Sequence, residues 1–183
     1  MLRVPEGTNP PQIDAVTSDA SLVTFTVGGN DIGYIATAFD CGEHGAGCSV
    51  NQTKLNSELA ALKVSLATVV ETIRAKALSA KIVLVSYPRL VPPTTYPALN
   101  FTPRGAQLVG TMGQDLEQVF LEIAHQTHVL LADPYAQGET HGPYAPKAER
   151  WIAGHTTVGF PYHPTPLGQM VMAAPTEQDL RQQ

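Results

Sequence analysis

Two long stretches of the chain place apolar residues at helical spacing, and three short ones are strongly apolar. Leu55, Leu59, Leu62, Leu66, Val69, Ile73 and Ala77 recur at intervals of three and four between about Gln52 and Ser79, the stripe of a helix with one buried face. Ser49 and Gln52 offer that helix a capping box. Leu108, Met112, Leu116, Val119, Ile123 and Thr127 repeat the pattern after Thr102-Pro103, where threonine suits the N-cap and proline the first helical position. A last helix is expected to start at Thr165-Pro166, to carry Leu167, Met170 and Val171, and to stop at Pro175. Residues 175–183 would then be a polar tail.

The short runs read as strands. "SLVTFTV" (Ser21 to Val27) is β-branched and aromatic, whereas "KIVLVSYP" and "HVLLADPY" are nearly continuous apolar runs, as in strands covered on both faces. Strand alternating with helix predicts an α/β three-layer sandwich with a mostly parallel sheet, flavodoxin-like, in a single domain over residues 1–183. Such sheets bind ligands beyond the carboxyl ends of their strands. "GGND" and "SYP" stand at two of those ends, and "GFPYHPTPLG" is expected to reach the same edge.

At 183 residues the chain is long enough to bury about 70% of its unfolded surface. Its 43% hydrophobic content, 15% charge and net charge of -5 give no basis for binding nucleic acid. No run nears the roughly 20 apolar residues of a membrane span, and the first residues show no signal-peptide core.

Candidate chemistry is sparse. Asn30 follows a strand through Gly28 and Gly29, which let the backbone turn sharply. Its amide would then be a neutral donor above the sheet edge, the kind of group that stabilises a developing oxyanion. By itself "GGND" reads more simply as a turn in which Asn30 or Asp31 caps the next segment. His163 precedes a helix start, and Pro164 confines it to extended backbone, which fixes where the imidazole can stand. His125 and His128 suit a helix end, and the remaining histidines, at 44, 141 and 155, have no comparable setting.

Cys41 and Cys48 lie in "DCGEHGAGCSV", read as a glycine-rich loop in which a short disulfide ring is feasible. Free thiols, or half of a zinc site with His44, are the alternatives, and the spacing fits no zinc ribbon. No metal and no cofactor is expected. A nucleotide-binding reading of the glycine turn fails because "GGND" lacks the spacing of a dinucleotide fingerprint and the lysine of a P-loop.

Taken together, "VTFTVGGNDIGY", "KIVLVSYPRL", "RWIAG" and "GFPYHPTPLGQMVMA" resemble the SGNH or GDSL-type ester hydrolases, particularly secreted actinobacterial lipases and esterases. The resemblance runs from about Gln12 to Ala174. It implies serine-dependent hydrolysis of lipid or small-molecule acyl esters, with Asn30 in the oxyanion hole, His163 as general base, and Gly28, Gly29 and Asp31 in support. The family often has an aspartate three residues before the histidine. Here that position is Phe160, so its main-chain carbonyl is expected to orient the imidazole, with Asp133 and Asp31 as further candidates.

The family's Gly-Asp-Ser nucleophile block and first strand have no counterpart, so an N-terminally truncated fold is expected, secreted in its complete form and with a sheet edge open to self-association. Ser86, at a strand end, lacks the context of a nucleophile elbow. Ser18, Ser21, Ser49, Ser57, Ser65 and Ser79 read as caps or helix-surface residues. A degenerate, non-catalytic binding domain is the alternative function.

Overall fold

The computed structural model describes residues 10–44, 47–91, 101–154 and 160–181. The first nine residues, Pro92-Pro93 and His155 lie outside the described residues, as does the side chain of His44. Three strands, β1 (Leu22–Phe25), β2 (Lys81–Val85) and β3 (Leu130–Ala132), form a parallel sheet in the order β1-β2-β3. Leu22 pairs with Lys81 and Val83 with Leu130. Four helices accompany them: α1 (Tyr34–His44), α2 (Gln52–Lys76), α3 (Pro103–Thr127) and α4 (Pro166–Arg181).

The β2 side chains alternate across the sheet, as the pleat requires. Leu84 joins the main core with Leu62 and Leu66 of α2 and with Val109, Leu116 and Phe120 of α3. Val83 and Val85 form a smaller cluster with Ala132, against which Met172 of α4 packs. The three expected layers are thus present: α1, α2 and α3 on one face, the sheet, and α4 on the other.

The long helices start where their side chains can take up free N–H groups. Thr102 caps α3 by accepting from Gly105 N at 3.1 Å. For α2 the cap is Asn51, whose side chain accepts from Lys54 N at 3.0 Å, and not the Ser49–Gln52 box. Asn51 sits two residues closer to the first helical turn than Ser49, directly before Gln52, and takes up the Lys54 amide, which the box would have left free.

Two expectations about the chain's path are corrected. Residues 34–44 form a helix where a loop was expected, because Tyr34, Ala38 and Cys41 bury one face at spacings of four and three. Cys41 in α1 is disulfide-bonded to Cys48 beyond it, as anticipated, with the Cα atoms 4.8 Å apart. The second correction is that α4 continues through Pro175 to Arg181. A proline inside a helix costs one backbone hydrogen bond and crowds the preceding turn, which is a penalty and not a prohibition.

Candidate active site

The carboxyl end of β1 runs through Val27 into a tight turn. Gly28 has φ +113°, and a Cβ there would lie 2.9 Å from the Leu62 side chain of α2. The position therefore needs glycine for its dihedral and for its space. Asp31 N donates to Gly28 O at 3.1 Å and Tyr34 N to Gly29 O at 2.8 Å, so the turn leads directly into α1. Gly28 and Gly29 are buried beneath it, and Asn30 is exposed at its apex. The Asn30 carboxamide makes no hydrogen bond to the described residues and is available to a ligand.

His163 arrives from the other end of the chain. Residues 162–165 run antiparallel to residues 151–153, with Ile152 bridged to Pro164. Ala153 N donates to His163 O at 2.9 Å, Tyr162 N to Ala153 O at 3.1 Å, and Thr165 N to Trp151 O at 2.8 Å. The Thr165 hydroxyl then caps α4 through Gly168 N at 3.1 Å.

Tyr162 is held with φ 59°, unusual for a bulky side chain. Its ring is buried against Phe39 and Phe101, at centroid distances of 5.0 and 6.3 Å. This packing offsets the backbone cost and turns the next residue outward.

The expected orienting groups are corrected here. His163 Nδ1 lies 2.9 Å from Pro161 O, while Phe160 O accepts the main-chain N–H of His163 instead. A ring nitrogen two residues along can fold back onto the Pro161 carbonyl, whereas the Phe160 carbonyl already closes the backbone turn. A carbonyl only accepts, so Nδ1 carries the proton and Nε2 of the neutral ring keeps its lone pair. Asp133 plays no part in this, because its Oδ1 accepts from Ser86 Oγ at 3.0 Å and Tyr135 N at 2.8 Å. The side chain of Asp31 makes no hydrogen bond to His163.

Asn30 and His163 line one cleft of about 290 Å³. Thr26, Gly29, Tyr87 and Pro88 form part of its wall, and Ile35, Leu90, Ile152, Tyr162 and Met172 give it a largely apolar surface. None of the chain's serines lines it. Ser86 is fully buried and donates to Asp133, in a polar cluster with Glu117. Glu117 is pushed up to about 8, chiefly by burial and then by Asp133, against a hydrogen bond from Ser86. The described residues contain no cluster of side chains able to hold a metal ion.

Reading the sequence did not single out Tyr87, Tyr162 or Ile152. The only trace of Tyr87 was its place in "SYP" at the end of a strand; Tyr162 and Ile152 acquire their roles from contacts remote in sequence.

The GDSL-like Lipase/Acylhydrolase family profile matches residues 3–171. Lipase 2 of Streptomyces coelicolor is 28% identical over 188 residues, covering 91% of this chain. The matched region spans 62% of that protein, so the chain falls well short of its relative's length. The fold is that of an extracellular lipase from Streptomyces rimosus, with a TM-score of 0.70, 21% identity, and 92% of this chain and 73% of the other covered. Phospholipase A1 from Streptomyces albidoflavus is also similar, with a TM-score of 0.66, 23% identity, and 92% and 72% coverage.

Proposed function

Because the chain belongs to the GDSL-like lipase/acylhydrolase family, we propose that its cleft takes an acyl ester and that Asn30 and His163 are two parts of a serine-hydrolase site. The observation that carries this reading is that two residues from opposite ends of the chain line one largely apolar cleft, the first with an unengaged amide and the second with its Nδ1 against a backbone carbonyl, which leaves Nε2 for the ligand. Hydrolysis of an ester through an acyl-enzyme passes through tetrahedral species whose oxygen bears negative charge. Asn30 would donate to that oxygen, a role whose loss typically costs about 3 kcal/mol in the transition state. Nε2 of His163 would take the proton from an attacking serine hydroxyl, with the Pro161 carbonyl holding Nδ1–H in place of a carboxylate. The apolar wall would receive the acyl chain.

The sequence holds no Gly-Asp-Ser block, and Ser86 is engaged with Asp133. The chain by itself is therefore expected to bind acyl ligands at Asn30 and His163 without turning over esters. Lipid or small-molecule esters are the substrate class in this reading, supported by relatives named lipases and a phospholipase. Function outside the cytoplasm is supported by the Cys41–Cys48 disulfide, which persists in oxidising compartments, and by the extracellular relative. The outer edge of β1 has no strand partner among the described residues and borders an apolar groove of about 430 Å³. Pairing of that edge with a second copy follows as an expectation, read by sedimentation.

The test is titration of the protein with hexanoate, whose carboxylate stands in for the oxyanion, followed through the His163 ring resonances. Saturable shifts at His163, with binding weakened about tenfold or more in Asn30→Ala, are expected from loss of a hydrogen bond to a charged group. Shifts elsewhere, or indifference to that substitution, would overturn the reading. A non-catalytic binding domain is the second reading, favoured by the absence of serine from the cleft. Covalent labelling of a serine by a fluorophosphonate, together with turnover of a chromogenic butyrate ester, would exclude it.

A further inference from the structure

The turn that presents Asn30 has a second donor, and it is already spent. Gly29 N donates to Tyr87 Oη at 3.1 Å, across from β1 to the residue that follows Ser86. A phenol that accepts one hydrogen bond still has a proton to give. Among the described residues nothing accepts it, and Tyr87 lines the same cleft as Asn30 and His163. The ring cannot swing freely, because it meets Phe120 edge-on at 5.9 Å and 89°. A Cβ on Gly29 would lie 3.2 Å from Tyr87 Oη, so the glycine leaves room for the hydroxyl. Burial pushes the phenol pKa up, and the hydroxyl stays a neutral donor at all ordinary pH values.

We infer that the Tyr87 hydroxyl is a further donor to the carbonyl oxygen of the bound acyl group, acting beside Asn30; this rests on the acyl-ester reading of the cleft. The chain of bonds runs from the Gly29 amide to the phenol oxygen and from the phenol proton to the ligand oxygen. Each bond polarises the next, so the amide acts on the ligand through the tyrosine. A donor fixed by ring packing in a cleft with apolar walls is preorganised, which is what stabilisation of a developing oxyanion requires. A tyrosine that served only to occupy the Gly29 amide would need no opening onto the cleft.

The inference is tested with Tyr87→Phe, which keeps the ring and removes the hydroxyl, by comparing hexanoate with the neutral ligand 1-hexanol. A donor to the ligand oxygen predicts about a tenfold weaker Kd for hexanoate and a clearly smaller loss for hexanol, whose neutral oxygen accepts a weaker bond. A purely structural tyrosine would move both ligands together, and that result overturns the inference. If Asn30→Ala weakens hexanoate binding and Tyr87→Phe does not, the acyl-ester reading stands and the role of Tyr87 falls. If hexanoate does not bind the unaltered protein, both fall. Should Tyr87→Phe fail to fold, the Tyr87 Cζ resonance of the 13C-tyrosine-labelled protein replaces it: a shift at saturating hexanoate is expected, and its absence overturns the inference.

Discussion

On one face of the sheet, α1, α2 and α3 pack together over Leu84; on the other, α4 meets the small cluster of Val83, Val85 and Ala132. Asn30 belongs to the thick side, since its turn opens directly into α1 and rests on Leu62 of α2. His163 belongs to the thin side, tied by backbone bonds to residues 151–153 and followed closely by α4. The two groups share a cleft but not a foundation. Changes in the thick layer should therefore alter global stability, whereas changes near α4 should move the imidazole while much of the fold persists.

The largest effect is expected at Phe120, which is fully buried in the thick layer and braces Tyr87. Phe120→Ala should cost about 3–5 kcal/mol in urea unfolding, through lost burial and a cavity. Next comes the Cys41–Cys48 bridge, which closes a short loop with a sequence separation of 7. Replacing both cysteines by alanine should cost about 2.5 kcal/mol, since a short loop releases little chain entropy when opened.

Gly168→Ala probes the thin side, because a Cβ there would lie 2.0 Å from Trp151 O, in the strip that holds residues 162–165. A global cost of about 1–3 kcal/mol from overpacking is expected, with changed His163 resonances and weakened hexanoate binding. If Gly168→Ala lowers the unfolding midpoint as much as Phe120→Ala while leaving the His163 resonances unmoved, the contrast between the two sides is wrong.

The smallest effect, read one pH unit at a time, concerns Glu117. Its folded-state value of about 8 lies above the ordinary 4.5, so the folded state holds a proton that the unfolded state has released. Stability should fall as pH rises from about 4.5 to 8 and level off above that, with a slope of at most about 1.4 kcal/mol per unit. Glu117→Gln should flatten this slope, with Asp133 and Arg89 as the charged neighbours that remain. Thermal melts across pH check it, and a stability that rises over the same window would refute the assignment.

What could be read from the sequence was what local chemistry decides. The start of α3 is set by Thr102 and Pro103 within a few residues, and the α2 stripe by the helical period alone. Helix α1 escapes the sequence reading because its buried face is only a few residues long and is followed at once by Gly42, a pattern that also suits a loop. Asn30 and His163 could be paired only through their resemblance to a family, since nothing local links them. The Pro161 carbonyl, the Tyr87 hydroxyl and the Ser86–Asp133 bond depend on the tertiary path of the backbone, which no spacing of residues encodes.

The thin side also implies an order of assembly. Parallel strands cannot be joined by tight hairpins, so β1 meets β2 only across α1 and the 25 residues of α2, and β2 meets β3 only across a connection that holds the 25 residues of α3. Closing these large loops is slow, and α4 has no finished sheet to dock on until it is done. Residues 151–154 and 160–165 are thus expected to be placed late in folding and released early when the native state opens locally. A protease at low concentration should cut near His163 well before it cuts near Asn30, in molecules whose main core is still intact.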